Sequence, residues 1–270
     1  MPIPKDTQLA TIHRMLAAKI SEYNSPGTFT EGYNHDYNRY IVGRVAGISA
    51  AGSLADWIAS GEAASSIRAL LKSFGMNARN SELVPLHAFQ GSLAAINPEI
   101  INWICGISLP LDMPPQALMN PATGTTLSTE LAGIYKVLAI PGSITISGGY
   151  VATSKAIHCL FPELAPIIDG QHTGISYYNI DRATYTLPLC LDSWEGWVGA
   201  PIDGVPNPSP RGAGRKSWGW QQFMAAMGIN QHIYELWQTA NGNPGYSAFL
   251  ALDPTPGTTG IPRIIDKGLW

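Results

Sequence analysis

Residues 147–174 read SGGYVATSKAIHCLFPELAPIIDGQHTG. Two glycines, Gly148 and Gly149, make a turn. An apolar run of helical character follows, and its one full charge is Lys155. Pro162 and Pro166 then bound a second turn, from which Ile167-Ile168-Asp169 leads into Gly170-Gln171-His172. Pro does not continue a helix, so the lysine and the aspartate belong to different elements. A lysine flanked by Val151, Ile157 and Leu160 becomes a usable amine when it is desolvated. An aspartate at a helix start meets the positive end of the helix dipole. Each also has a plain role: Lys155 can point to water, and Asp169 can serve as an N-cap.

Outside this stretch, helical periodicity dominates. Leu9, Ile12, Leu16 and Ile20 mark one face after Asp6, read as an N-cap. Ile67, Leu70, Leu71 and Phe74 mark another, with Gly75 as its stop, and Asn97-Pro98 is an N-cap followed by proline at the first helical position. Ser128 opens a run with Leu131, Ile134, Tyr135 and Leu138. Ser217 opens one that ends at Gly228, and Asn230 opens the next. Strand signals are weak, at 143–146 and 183–191. The expectation is an all-α chain of eight to ten short helices in one domain, residues 1–270, with irregular loops at 106–127 and 198–216. The second loop holds four prolines and four glycines, the composition of a lid or a surface insertion.

Composition narrows the function classes. Of the 270 residues, 45% are apolar and 13% charged, and the net charge is -3. A protein that grips a polyanion needs a basic footprint, and only Arg211, Arg215 and Lys216 cluster. Weak or no DNA binding is therefore expected, and a small-molecule or protein partner fits better. Cys105, Cys159 and Cys190 form no Cys-x-x-Cys pair, and the histidines have no metal-ligand spacing, so no metal is expected. No cofactor is expected either, because Gly-x-Gly-x-x-Gly and Walker patterns are missing from the sequence. With no leader-like run at the start and no apolar stretch of about 18 residues, the reading is a soluble intracellular protein.

The order of glycine turn, lysine helix, Pro-x-x-Asp and histidine resembles the helix–hairpin–helix DNA glycosylases of base-excision repair. The matching residues are Gly148, Gly149, Lys155, Pro166 to Asp169, and His172. The resemblance covers about residues 147–174. It implies a two-lobed, all-helical fold and cleavage of an N-glycosidic bond of a modified nucleobase or nucleoside. It also implies Lys155 as an amine nucleophile and Asp169 as the group that stabilises positive charge on the sugar or activates the nucleophile. The alternative is a small-molecule enzyme of specialised metabolism on the same scaffold, with cyclase, lyase or imine-type chemistry. A non-catalytic binding protein is the third reading.

Further candidates come from the residues themselves. In YNHDYNRY, residues 33–40, Tyr33, Tyr37 and Tyr40 share one helix side, either to stack a planar ligand or to join helices through their hydroxyls. His158 lies three residues after Lys155 and His172 three after Asp169, each a possible proton carrier. Trp218 and Trp220 follow the Pro-Gly loop and are placed to cover a ligand. Arg263 and Asp266 read as a helical ion pair, and Trp270 as packing back on the body.

Overall fold

The computed structural model describes residues 5–76, 82–168, 197, 219–255 and 260–270, with side chains from residue 12 onward. Eleven helices are present among these residues: α1 (Lys5–Tyr23), α2 (Thr30–Ala51), α3 (Leu54–Ala59), α4 (Glu62–Ser73), α5 (Leu86–Ala94), α6 (Pro98–Cys105), α7 (Leu127–Ala139), α8 (Tyr150–Leu160), α9 (Trp220–Ala240), α10 (Tyr246–Leu250) and α11 (Ile261–Leu269). No strand occurs among the described residues. The alternating residues 143–146 contribute only one isolated bridge, Leu83 with Thr145. The all-α expectation holds for the described residues. The segments 183–191 and 198–216 lie outside them.

The ends of the helices show why they stop where they do. At the end of α4 the N–H of Gly75 donates to Lys72 O and that of Met76 to Leu71 O, which satisfies two orphan carbonyls. Gly75 sits at φ 75°, where a side chain is disfavoured. Asn97 Oδ1 accepts from Glu99 N at 2.9 Å, with Pro98 at the helix start.

Three boundaries differ from the sequence reading. α1 already includes Asp6. α7 is capped by Thr126, whose hydroxyl accepts from Thr129 N, and Ser128 lies inside the helix. The two runs around Gly228 and Asn230 are one helix, α9. A mid-helix glycine costs about 1 kcal/mol. Every residue from Gln222 to Asn230 is buried, and packing at this scale outweighs that cost.

Helix α8 is the central element. All residues from Ala152 to Leu160 are buried, and α8 packs on α7 and α4. Helix α2 completes its C-terminal end. Tyr40 Oη donates to Cys159 O at 2.8 Å and Arg44 Nη2 to Leu160 O at 2.7 Å. These carbonyls have no partner within the helix, and a cation there also suits the negative end of the dipole.

A second packing group forms where α1 meets α9 and α11, which closes the early chain onto the late chain. Gly268 permits this approach, because a Cβ there would collide with the Leu16 side chain.

The turn from α7 to α8 depends on Gly148, at φ 68°. A Cβ at this position would stand 2.9 Å from Ala139 O and 3.0 Å from Pro141 N. Gly148→Ala is expected to destabilise the protein by about 2–3 kcal/mol in urea unfolding, the sum of left-handed strain and a backbone clash. Gly142→Ala, at φ 88° but in open space, should cost only about 1 kcal/mol. Equal losses at the two positions would contradict the clash.

Candidate functional site

One pocket gathers polar and aromatic side chains from five helices or their ends and from the segment after α8. Tyr23 comes from the end of α1, Tyr33 from α2, Lys155 from α8 and Ile167 from the segment beyond it. Arg263 and Asp266 come from α11, and Phe74 and Trp270 from the ends of α4 and α11. The pocket together with the open solvent at its mouth holds about 450 Å³ of empty space.

Aromatic rings make the wall. Tyr33 meets Phe74 edge-on at 6.0 Å between centroids and Trp270 at 6.1 Å, and Trp270 in turn meets Tyr23 at 6.2 Å. Phe29 extends the wall outward, 5.6 Å from Trp270, while 72% of its surface remains exposed. An aromatic side chain left that open beside a pocket offers a flat face to a ligand.

The polar floor is buried. Lys155 is only 8% exposed, and its Nζ lies 5.3 Å from the Phe74 ring centroid, within cation–π range. Arg263 is 1% exposed. Its Nη1 donates to Asp266 Oδ2 at 2.5 Å and its Nη2 to Tyr23 Oη at 3.2 Å. Its guanidinium also stacks over the Tyr37 ring at 4.3 Å. Burial works against the charge on Arg263, but Tyr23, Asp266 and Tyr37 outweigh it and hold its pKa above the ordinary value. Burial raises the pKa of Tyr23, so its hydroxyl keeps its proton at neutral pH.

A second ion pair braces this floor. Lys267 Nζ lies 2.5 Å from Asp253 Oδ2 and donates to Asn24 Oδ1 at 3.0 Å. Asn24 Nδ2 donates back to Asp253 Oδ1 at 2.8 Å. Burial, and then Arg263, pull the Lys267 pKa down to about 8, against the pull of Asp253.

Of the residues singled out from sequence, the pocket brings together Lys155 and Tyr33. Tyr37 and His158 lie behind it. Ala165 O can only accept, so His158 Nδ1 carries the proton and donates to it at 2.7 Å. That leaves Nε2 to accept from Tyr37 Oη at 2.8 Å. Burial pushes the His158 pKa down to about 3, so the ring is neutral and both nitrogens are engaged within the protein. Tyr40 holds the end of α8 instead of lining the pocket. Trp220 is buried in another aromatic cluster, stacked on Phe223 at 6.0 Å and edge-on to Tyr135 at 5.6 Å. Asp169, His172 and Trp218 lie outside the described residues, and the last residue described before Asp169 is Ile168, whose N–H donates to Ser154 Oγ at 3.2 Å.

Sequence reasoning did not place Tyr23, Phe74, Asp266 and Trp270 in one site. The available signal was the spacing of Arg263, Asp266, Lys267 and Trp270, which occupy one helix stripe at i, i+3, i+4 and i+7. Burial also settles the state of one thiol: it raises Cys159 to about 12, which makes it an inert thiol at neutral pH.

His158 gives the protein a calculable acid sensitivity. An unfolded histidine takes up a proton near pH 6.5, whereas folded His158 does so only near 3. Within that window the unfolded chain binds more protons, so the stability contributed above pH 6.5 is lost as pH falls toward 3. The urea midpoint should drop through this range, and the His158 imidazole resonance should stay in its neutral position between pH 8 and 5. A resonance titrating near 6.5 would show that the ring is not held by Tyr37 and Ala165.

Among the described residues, no group of three His, Cys, Asp or Glu side chains is arranged to hold a metal ion. No helix among them is long and apolar enough to cross a membrane. In comparisons with known proteins, no family model, no curated protein and no solved structure matches this chain.

Proposed function

We propose that this protein is a glycosylase-like enzyme that cleaves the N-glycosidic bond of a modified nucleobase or nucleoside. The observation that carries the reading is Lys155: a lysine 8% exposed, lining a pocket walled by Tyr33, Phe74 and Trp270. An amine beside aromatic walls can meet a planar base and the sugar carbon attached to it. Attack by the Lys155 amine at the anomeric carbon forms a C–N bond. The base leaves with the electron pair of the glycosidic bond and takes up a proton. Sugar ring opening then gives an imine, which water hydrolyses to release the amine. Asp169 stabilises the positive charge that develops on the sugar, and His172 carries the proton. The resemblance of residues 147–174 to the helix–hairpin–helix glycosylases supports these roles.

The small-molecule reading keeps one specific support. The net charge is -3, with 16 Lys and Arg in 270 residues, which suits a free nucleoside or another small substrate better than a long polyanion. A gel-shift titration at physiological salt is expected to show only weak binding to ordinary duplex. Submicromolar affinity would put nucleic acid back as the substrate.

The chemistry is tested by trapping. Borohydride should reduce the imine to a stable protein–sugar adduct, and Lys155→Gln should abolish it. Asp169→Asn should lower turnover by about 10²- to 10⁴-fold with a smaller effect on binding, because its charge matters most as the transition state forms. Base release at the wild-type rate in both variants would overturn the reading. Loss in Asp169→Asn alone would leave a mechanism without a covalent amine step.

A further inference from the structure

The most exposed large apolar side chain among the described residues stands at the mouth of the pocket. Phe29 is 72% exposed, and it is the one aromatic among the strongly exposed large apolar side chains of those residues. Such a ring on a loose loop would mean little, but the turn that carries it, between α1 and α2, is braced at each step. Gly27 N–H donates to Glu31 Oε2 at 2.9 Å, Thr28 Oγ1 to Ser25 O at 2.8 Å and Thr30 Oγ1 to Tyr23 O at 2.8 Å. Asn24 Oδ1 accepts from Asn34 Nδ2 and from Lys267 Nζ, each at 3.0 Å, which ties the same turn to α2 and α11. Tyr33 and Trp270 support the Phe29 ring at 6.2 and 5.6 Å. The ring is set in place before any ligand arrives, so stacking on it carries little ordering cost.

From Phe29 the wall descends through Tyr33 and Phe74 to Lys155, in steps of 6.2, 6.0 and 5.3 Å. Exposure falls from 72% at Phe29 to 8% at Lys155. Attack by Lys155 on the anomeric carbon requires the sugar at the buried end, which leaves the base at the Phe29 end. We infer that Phe29 is the residue on which the base stacks, and that the substrate is a free nucleoside that enters sugar first. This rests on the glycosylase-like reading for the position of the sugar. A nucleotide inside a strand carries a phosphodiester on each side of its sugar. Its sugar cannot lead into a closed floor unless both continuing chains double back through one mouth, along aromatic walls that leave their charges unpaired. A free nucleoside brings only hydroxyls. The released base then leaves straight to water, without passing the sugar held at the floor. Stacking reads ring area and has no hydrogen-bond code, so purines are favoured over pyrimidines.

Calorimetric titration with adenosine, N6-benzyladenosine and 2′,3′-O-isopropylideneadenosine tests the orientation. The benzyl group extends the outer edge of the base toward solvent and should change affinity by less than about threefold, whereas the acetal enlarges the leading sugar and should weaken binding by about tenfold or more. Phe29→Ala should weaken adenosine binding by about tenfold, the loss of one stacked aromatic, with the urea midpoint unchanged. Phe29→Tyr should bind as the wild type does and Phe29→Leu should not, which separates stacking from mere apolar cover. Wild-type affinity in Phe29→Ala and Phe29→Leu would overturn the role of Phe29. Tolerance of the acetal with rejection of the benzyl group would overturn the sugar-first orientation. Tighter binding of adenosine within a short single-stranded oligonucleotide than of free adenosine, or no binding of any of the three nucleosides, would overturn the substrate class. Sugar-first binding without base release would sink the cleavage reading and leave this inference standing; base release that does not depend on Phe29 would do the reverse.

Discussion

The guanidinium of Arg263 is the constraint on which the rest of the structure depends. It is enclosed by protein, yet its charge is met on three sides: by Asp266 at 2.5 Å, Tyr23 Oη at 3.2 Å and the face of Tyr37 at 4.3 Å. A buried charge is tolerable only when paired and hydrogen-bonded, and each of these partners belongs to a different part of the fold. Tyr23 ends α1, Tyr37 lies mid-way along α2 and Asp266 is on α11. Tyr37 passes the constraint on to α8 through His158. One side chain thereby ties α1, α2, α8 and α11 into a single arrangement, and the pocket opens where those elements meet.

That arrangement explains why α11 is buried on more than its apolar stripe. Ile261, Ile264 and Ile265 bury one side as any amphipathic helix would. Arg263, Asp266 and Lys267 are buried on the other, because Tyr23, Asn24 and Asp253 answer them. Such polar networks add little net stability compared with apolar packing of the same volume. Here the network instead holds Arg263 and Asp266 at the pocket.

Much of the helical content was legible from sequence, since caps and stops are local chemistry. Asn97-Pro98 and Gly75 mark real ends because their hydrogen bonds involve residues two or three positions away. Ser128 and Asn230 misled as helix starts, and Ser217 lies outside the described residues. A Thr two residues before Ser128 was the better cap, and long-range burial carried α9 through Gly228. The site was legible only in part. Lys155 stood out as the one charge in an apolar helix, and Tyr33, Tyr37 and Tyr40 as a stripe. The stripe divides its work, with Tyr33 at the pocket, Tyr37 on His158 and Tyr40 on the end of α8. Arg263 and Asp266 read correctly as a pair, but their burial depends on α1, more than two hundred residues away in sequence. No local pattern encodes that contact.

The central claim is that the buried guanidinium fastens α11 to α1 and α2. Urea unfolding of Arg263→Met tests it most directly, because methionine keeps much of the volume and removes the charge. Loss of one partner of a buried pair leaves Asp266 uncompensated, so the account predicts destabilisation of about 3–5 kcal/mol. Stability within about 0.5 kcal/mol of the wild type, the range of an ordinary surface substitution, would contradict it.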